Sequence, residues 1–129
     1  MRRALLVLGF GVLVGSVPAA GHHSFAAYYF EDQSVSIEGE VTAFEYVNPH
    51  AWLHVLAPDD AGQWRRVGAE WGNPGRLSRQ GIAVDTLKPG DWVIITGSPS
   101  RDQTQYKVHL KGIERPADGW KWVGRGERP

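Results

Sequence analysis

The chain has 129 residues, with 14 Lys and Arg against 14 Asp and Glu, five His and no Cys. Without cysteine, disulfide staples, thiol catalysis, Cys-ligated zinc or iron–sulfur sites and a lipid-bearing Cys behind a leader are all excluded. The even charge balance contains no basic run, so the electrostatic footprint of nucleic-acid binding is missing.

The first 21 residues read as a secretory signal peptide. Arg2 and Arg3 form a positive start, Ala4 to Val14 (ALLVLGFGVLV) is an apolar block, and Ser16-Val17-Pro18-Ala19-Ala20-Gly21 supplies a helix breaker and small residues. Eleven apolar residues fall short of the ~20 needed to span a bilayer. Removal after residue 21 takes Arg2 and Arg3 away, so 14 basic residues become 12 against 14 acidic ones. What remains has the length of one compact domain in the periplasm or outside the cell.

Residues 22–33 (HHSFAAYYFEDQ) form an aromatic, histidine-bearing leader without a clear period. Alternation with a two-residue period then predicts strands separated by turn signals. Ser34 to Val47 is the first: Val35, Ile37, Val41 and Ala43 share one face, whereas Phe44 and Tyr46 fall on the other. A change of face in a strand that contains Gly39 predicts a bulge or sharp bend. Asn48-Pro49 turns into a second strand, Ala51 to Ala57, and Pro58 to Gly62 reads as a hairpin loop before a third, Gln63 to Trp71. Asn73-Pro74 followed by Gly81 predicts a short helix over Asn73 to Gln80. Strands four (Trp92 to Gly97) and five (Tyr106 to Ile113) follow, and residues 116–129 form a Gly-rich charged tail with Trp120 and Trp122 two apart.

Five strands with one helix between the third and fourth predict an all-β, OB-like, partly open barrel over residues 34–115. Closing the sheet buries apolar faces without long exposed edges. An immunoglobulin-like sandwich would need about seven strands. The segments His22-His23-Ser24-Phe25-Ala26, Asn48-Pro49-His50-Ala51-Trp52, Asn73-Pro74 with Leu77, Arg79 and Gly81, and Leu87-Lys88-Pro89-Gly90-Asp91 resemble the DUF6152 family of small exported bacterial proteins. The resemblance implies export and a single domain, and it brings no catalytic residues with it.

Chemistry is concentrated in the histidines His22, His23, His50, His54 and His109. Cleavage after Gly21 would make His22 the first residue, so that its amine and imidazole chelate together. Cleavage after Ala20 would leave Gly21-His22-His23, in which an amine, backbone amides and a third-position imidazole surround an ion. Both starts suit copper(II), which favours nitrogen-rich planar sets. His50 is the expected further ligand, because it sits in a turn at a strand end. His54 shares the face of His50 but lies roughly 13 Å further along an extended strand. The bland alternative is a solvated terminal His pair with no metal at all.

Among four tryptophans, Trp52, Trp64, Trp71 and Trp92, most are expected in the core. Trp52 and Trp64, with His54, are candidates for contact with a small ligand or a protein partner on the face of strands two and three. Enzyme readings are weaker. Ser24 lacks a G-x-S-x-G setting, Glu38 and Glu40 share a solvated face, and Glu70 is expected to pair with Arg76 or Arg79. The resulting expectation is an exported binding or accessory module, not an enzyme, with a copper-binding protein as the alternative.

Overall fold

The computed structural model describes residues 24–125. The signal-peptide assignment and His22 and His23 lie outside the described residues. The alternation read from the sequence becomes β1 (Val35–Glu45), β2 (Trp52–Pro58), β3 (Trp64–Glu70), β4 (Trp92–Pro99) and β5 (Lys107–Arg115). A helix, α1 (Pro74–Ser78), stands between β3 and β4. Its N-cap Asn73 accepts the Arg76 backbone N–H at 2.9 Å, and Pro74 takes the first turn, where its missing N–H costs nothing. No helix among the described residues is long and apolar enough to cross a membrane.

β1 is the strand that makes closure possible. It runs antiparallel to β4 over Val35–Glu40 and antiparallel to β2 over Glu40–Glu45. β2 pairs with β3, and β4 with β5. A short parallel pairing of Gly68–Glu70 with Lys107–His109 then joins β3 to β5. The ring β1-β2-β3-β5-β4-β1 is the closed five-stranded barrel of the OB type.

The hand-over within β1 differs in detail from expectation. The bulge falls between Val41 and Ala43, not at the glycine. Gly39 instead makes room for a crossing strand. A Cβ there would lie 2.2 Å from the Leu56 carbonyl oxygen and 2.9 Å from Val55 Cγ1. The β2 backbone passes so closely that only glycine fits beneath it.

The core follows the alternation. Leu53, Val55 and Ala57 of β2, Ala69 of β3, Val93 and Ile95 of β4, and Val108 and Leu110 of β5 are all buried. Leu77 of α1, with Ile82 and Leu87, packs into the same core. The tail adds what the sequence did not suggest. Trp120–Val123 forms β6, antiparallel to β5, and Trp122 meets the buried Trp71 edge-on with ring centroids 4.8 Å apart.

The expectation that most of the four tryptophans are core is corrected here. Trp71 alone of them is fully buried, while Trp64 is 57% and Trp92 43% exposed. Trp64 sits at the hairpin end opposite Pro58, where no layer covers it. Trp92 lies at the entry of β4, and its Nε1–H donates to Glu38 at 2.8 Å, so the polar end stays at the surface.

Replacing Gly39 with alanine should destabilise the barrel by about 3 kcal/mol through overpacking against β2. Chemical denaturation of Gly39→Ala beside the parent chain measures this, and an unchanged midpoint would contradict the close approach.

Candidate functional site

The leader, read from sequence as irregular, is a fitted part of the fold. A 3₁₀ turn, Phe25–Ala27, is followed by Tyr29, which bridges to Ser100 and is fully buried. Backbone N–H groups of Phe30 and Arg101 donate to Pro99 and Tyr28 at 2.9 Å, and Arg101 Nε donates to the Ala26 carbonyl at 2.8 Å. These bonds tie the leader to the end of β4 and the residues after it, and its side chains reach the parallel β3–β5 seam.

Two imidazole–carboxylate pairs meet there. His50 Nδ1 lies 2.6 Å from Glu70 Oε1, and the Tyr29 hydroxyl donates to Glu70 Oε2. His109 Nδ1 lies 2.8 Å from Glu31 Oε1, and Lys111 Nζ donates to Glu31 Oε2 at 2.6 Å. A carboxylate only accepts, so in each pair Nδ1 is the donor, and in the neutral form of the ring the lone pair then lies on Nε2. Phe25 stacks on both rings, 3.6 Å from His109 at an interplanar angle of 3° and 5.3 Å from His50 at 26°.

The titration of these groups follows from their surroundings. Burial, then the Glu70 hydrogen bond, pushes the Tyr29 phenol far above its ordinary value, so it stays a donor. Burial also lowers His109 below its ordinary 6.5, outweighing the hydrogen bond to Glu31, and Lys111 adds to the lowering. Burial opposes ionisation of Glu31, but the bonds from Lys111 and His109 prevail and hold its carboxyl below 4.5. At neutral pH the cluster is therefore a Lys111–Glu31 ion pair with a neutral His109 donating alongside.

A cleft of about 290 Å³ opens beside this network, lined by Phe25, Tyr28, His50, Trp52, Glu70 and Lys107 among others. Trp52 lies along Gly68, where a Cβ would be only 3.4 Å from its ring, and it stacks near His54 at 6.5 Å. His50 and Trp52 thus line one cleft. His54 borders Trp52, and its Nε2 is 3.1 Å from Glu45 Oε1 without the alignment of a hydrogen bond. Trp64 stands at the far end of the β2–β3 hairpin, opposite Pro58, and takes no part.

Glu70 corrects the expectation of a pair with Arg76 or Arg79. β3 places it opposite Trp52, on the seam beside His109, so its carboxylate serves Tyr29 and His50 instead. The partnerships of Tyr29, Glu31 and His109 have no local signature in the sequence, because the partners lie 41, 78 and 80 positions apart and meet only across the barrel seam. The acidic Glu31 within an aromatic leader is the one available hint. No group of three or more His, Cys, Asp or Glu among the described residues is placed to hold a metal ion.

The family model described as "Family of unknown function (DUF6152)" matches residues 10–109, and the chain belongs to that family. No curated protein and no solved structure matches it.

The seam network carries a pH dependence of fixed sign. A His with a depressed native pKa binds its proton more readily once unfolded, so stability falls as pH drops below 6.5. The depressed Glu31 adds a further loss as pH falls below 4.5. Thermal unfolding from neutral to acid pH should show the first decline in the parent chain and lose it in His109→Gln. Parallel curves for the two proteins would refute the assignment.

Proposed function

Taking membership of that family as premise, we propose that the protein is exported and that its barrel is a small binding module. The seat is the cleft between the leader and β2. The order of charge, apolar block and small residues in the first 21 positions supports export. The binding reading is carried by one arrangement: His50, 32% exposed in its side chain, is fixed through Nδ1 while its Nε2 is left for a ligand. Glu70 has both oxygens engaged, by His50 and Tyr29, which suits a carboxylate that orients a neighbour better than one that shuttles protons. Trp52 and Tyr28 supply apolar walls, and Lys107 a cation.

A copper-binding protein is the second reading, and the same arrangement favours it. Metal-ligating imidazoles generally donate their other N–H to a carboxylate, which fixes the tautomer and raises ligand basicity. His23 precedes Phe25 by two residues, a reach of at most ~7 Å. His22 and His23, with a free amine, would supply the nitrogens that His50 alone cannot. Copper(II) bound there would bring a redox-active, Lewis-acidic centre. Glu70 and Tyr29 would orient His50 without touching the ion.

N-terminal sequencing of the secreted form should return Gly21 or His22 as the first residue, and retention of Met1 removes the export reading. Copper(II) titration of that form should give a sub-micromolar complex, weakened about tenfold or more in His50→Ala and about 10- to 100-fold in Glu70→Gln. Equal affinities in parent and His50→Ala would leave copper without its anchor, while the ligand seat itself would still answer to Trp52→Ala.

A further inference from the structure

On the other side of Phe25 is a second cleft, about 190 Å³, with a different character. Its walls include Phe25, Leu77 of α1, the buried Trp71 and Trp122 of β6. Arg76 and Arg125 also line it. Neither guanidinium has an ion pair or hydrogen-bond partner among the described residues; only the Arg76 backbone N–H is engaged, at the helix cap. Lys111 and His109 reach the cleft too, but their charge and donor are met by Glu31. Among the described residues no carboxylate lines the cleft, and the guanidinium groups of Arg76 and Arg125 are its side-chain cations other than Lys111.

A second observation points the same way. Trp71 is 1% exposed, and its Nε1–H has no hydrogen-bond acceptor among the described residues. Buried N–H groups are seldom left orphaned, because each costs the desolvation of a donor. Its neighbour Trp122 shows the usual solution, donating Nε1–H to Gln80 at 2.8 Å. A carboxylate held by the arginines would add acceptor oxygens beside this wall, whose side-chain acceptor, Gln80 Oε1, is already taken by Trp122.

We propose that this cleft binds a small apolar carboxylate, with the carboxylate on Arg76 and Arg125 and the hydrocarbon part against Phe25, Leu77 and Trp122. The planar guanidinium fork matches a carboxylate in two-point hydrogen bonds. The apolar walls favour an organic acid over a bare inorganic oxyanion, which would leave them facing water. At about 190 Å³ the cleft lies below the ~300 Å³ at which drug-sized sites begin, which favours a small organic acid. The inference is independent of export and of copper, since it uses neither His50 nor the residues before Ser24.

Benzoate is the probe, with the indole N–H resonances of Trp71 and Trp122 as reporters in ¹H–¹⁵N spectra. Saturable shifts with a Kd on the order of 1 mM are expected. Arg76→Gln and Arg125→Gln, both at exposed positions, should each weaken binding about tenfold with unchanged thermal stability. Benzamide, the same shape without charge, should leave the resonances in place, and sulfate at matched ionic strength should not reproduce the response. Absence of saturation, equal responses to benzamide or sulfate, or benzoate affinity indifferent to both arginine substitutions would each overturn the proposal.

Discussion

Everything distinctive about this molecule depends on a parallel pairing three residues long. Gly68–Glu70 beside Lys107–His109 turns a six-stranded sheet into a barrel with one strand outside it. Parallel pairs cannot be made by a hairpin, so the chain must travel through α1 and β4 before β5 can return to β3. The seam is short and carries few ladder bonds of its own. The leader crosses it and adds backbone bonds to the segment that follows β4.

The seam also explains where the polar groups gather. β3 and β5 each deliver a titratable side chain at the same level, Glu70 and His109, and the leader brings Tyr29 and Glu31 to meet them. A half-buried carboxylate is costly unless its oxygens are satisfied. Both are: Glu70 takes a phenol and an imidazole, Glu31 an imidazole and an ammonium. Such a network locks the leader to the barrel by specific contacts as well as by the burial of Tyr29 and the stacking of Phe25. Among the described residues no hydrogen bond is made by Nε2 of His50 or of His109.

Phe25 divides the resulting surface. It lines the cleft that holds His50, Trp52 and Lys107, and it lines the cleft that holds Trp71, Arg76 and Arg125. The first offers a fixed imidazole between aromatic walls, and the second offers guanidinium groups over an apolar floor. One aromatic residue, positioned by a 3₁₀ turn, therefore separates two chemically unlike seats. A change in the leader would alter both at once.

The strands, the helix with its Asn73 cap and the barrel class were legible in the sequence, because two-residue alternation and turn residues are local signals that the chain cannot hide. Strand β6 was not, since four residues between Gly-rich flanks carry almost no period, and Trp122 reveals itself only when Trp71 is present to receive it. Sequence proximity points Glu70 to the arginines of the following helix; the barrel instead sets it against Tyr29, 41 positions earlier, and His50. Periodicity and turn residues thus determined the elements other than β6, and the motif segments carried the family likeness. Which side chains share a seam, and hence which imidazoles are anchored and which arginines face an open cleft, was decided by closure of the sheet, because closure brings together residues that no local pattern connects.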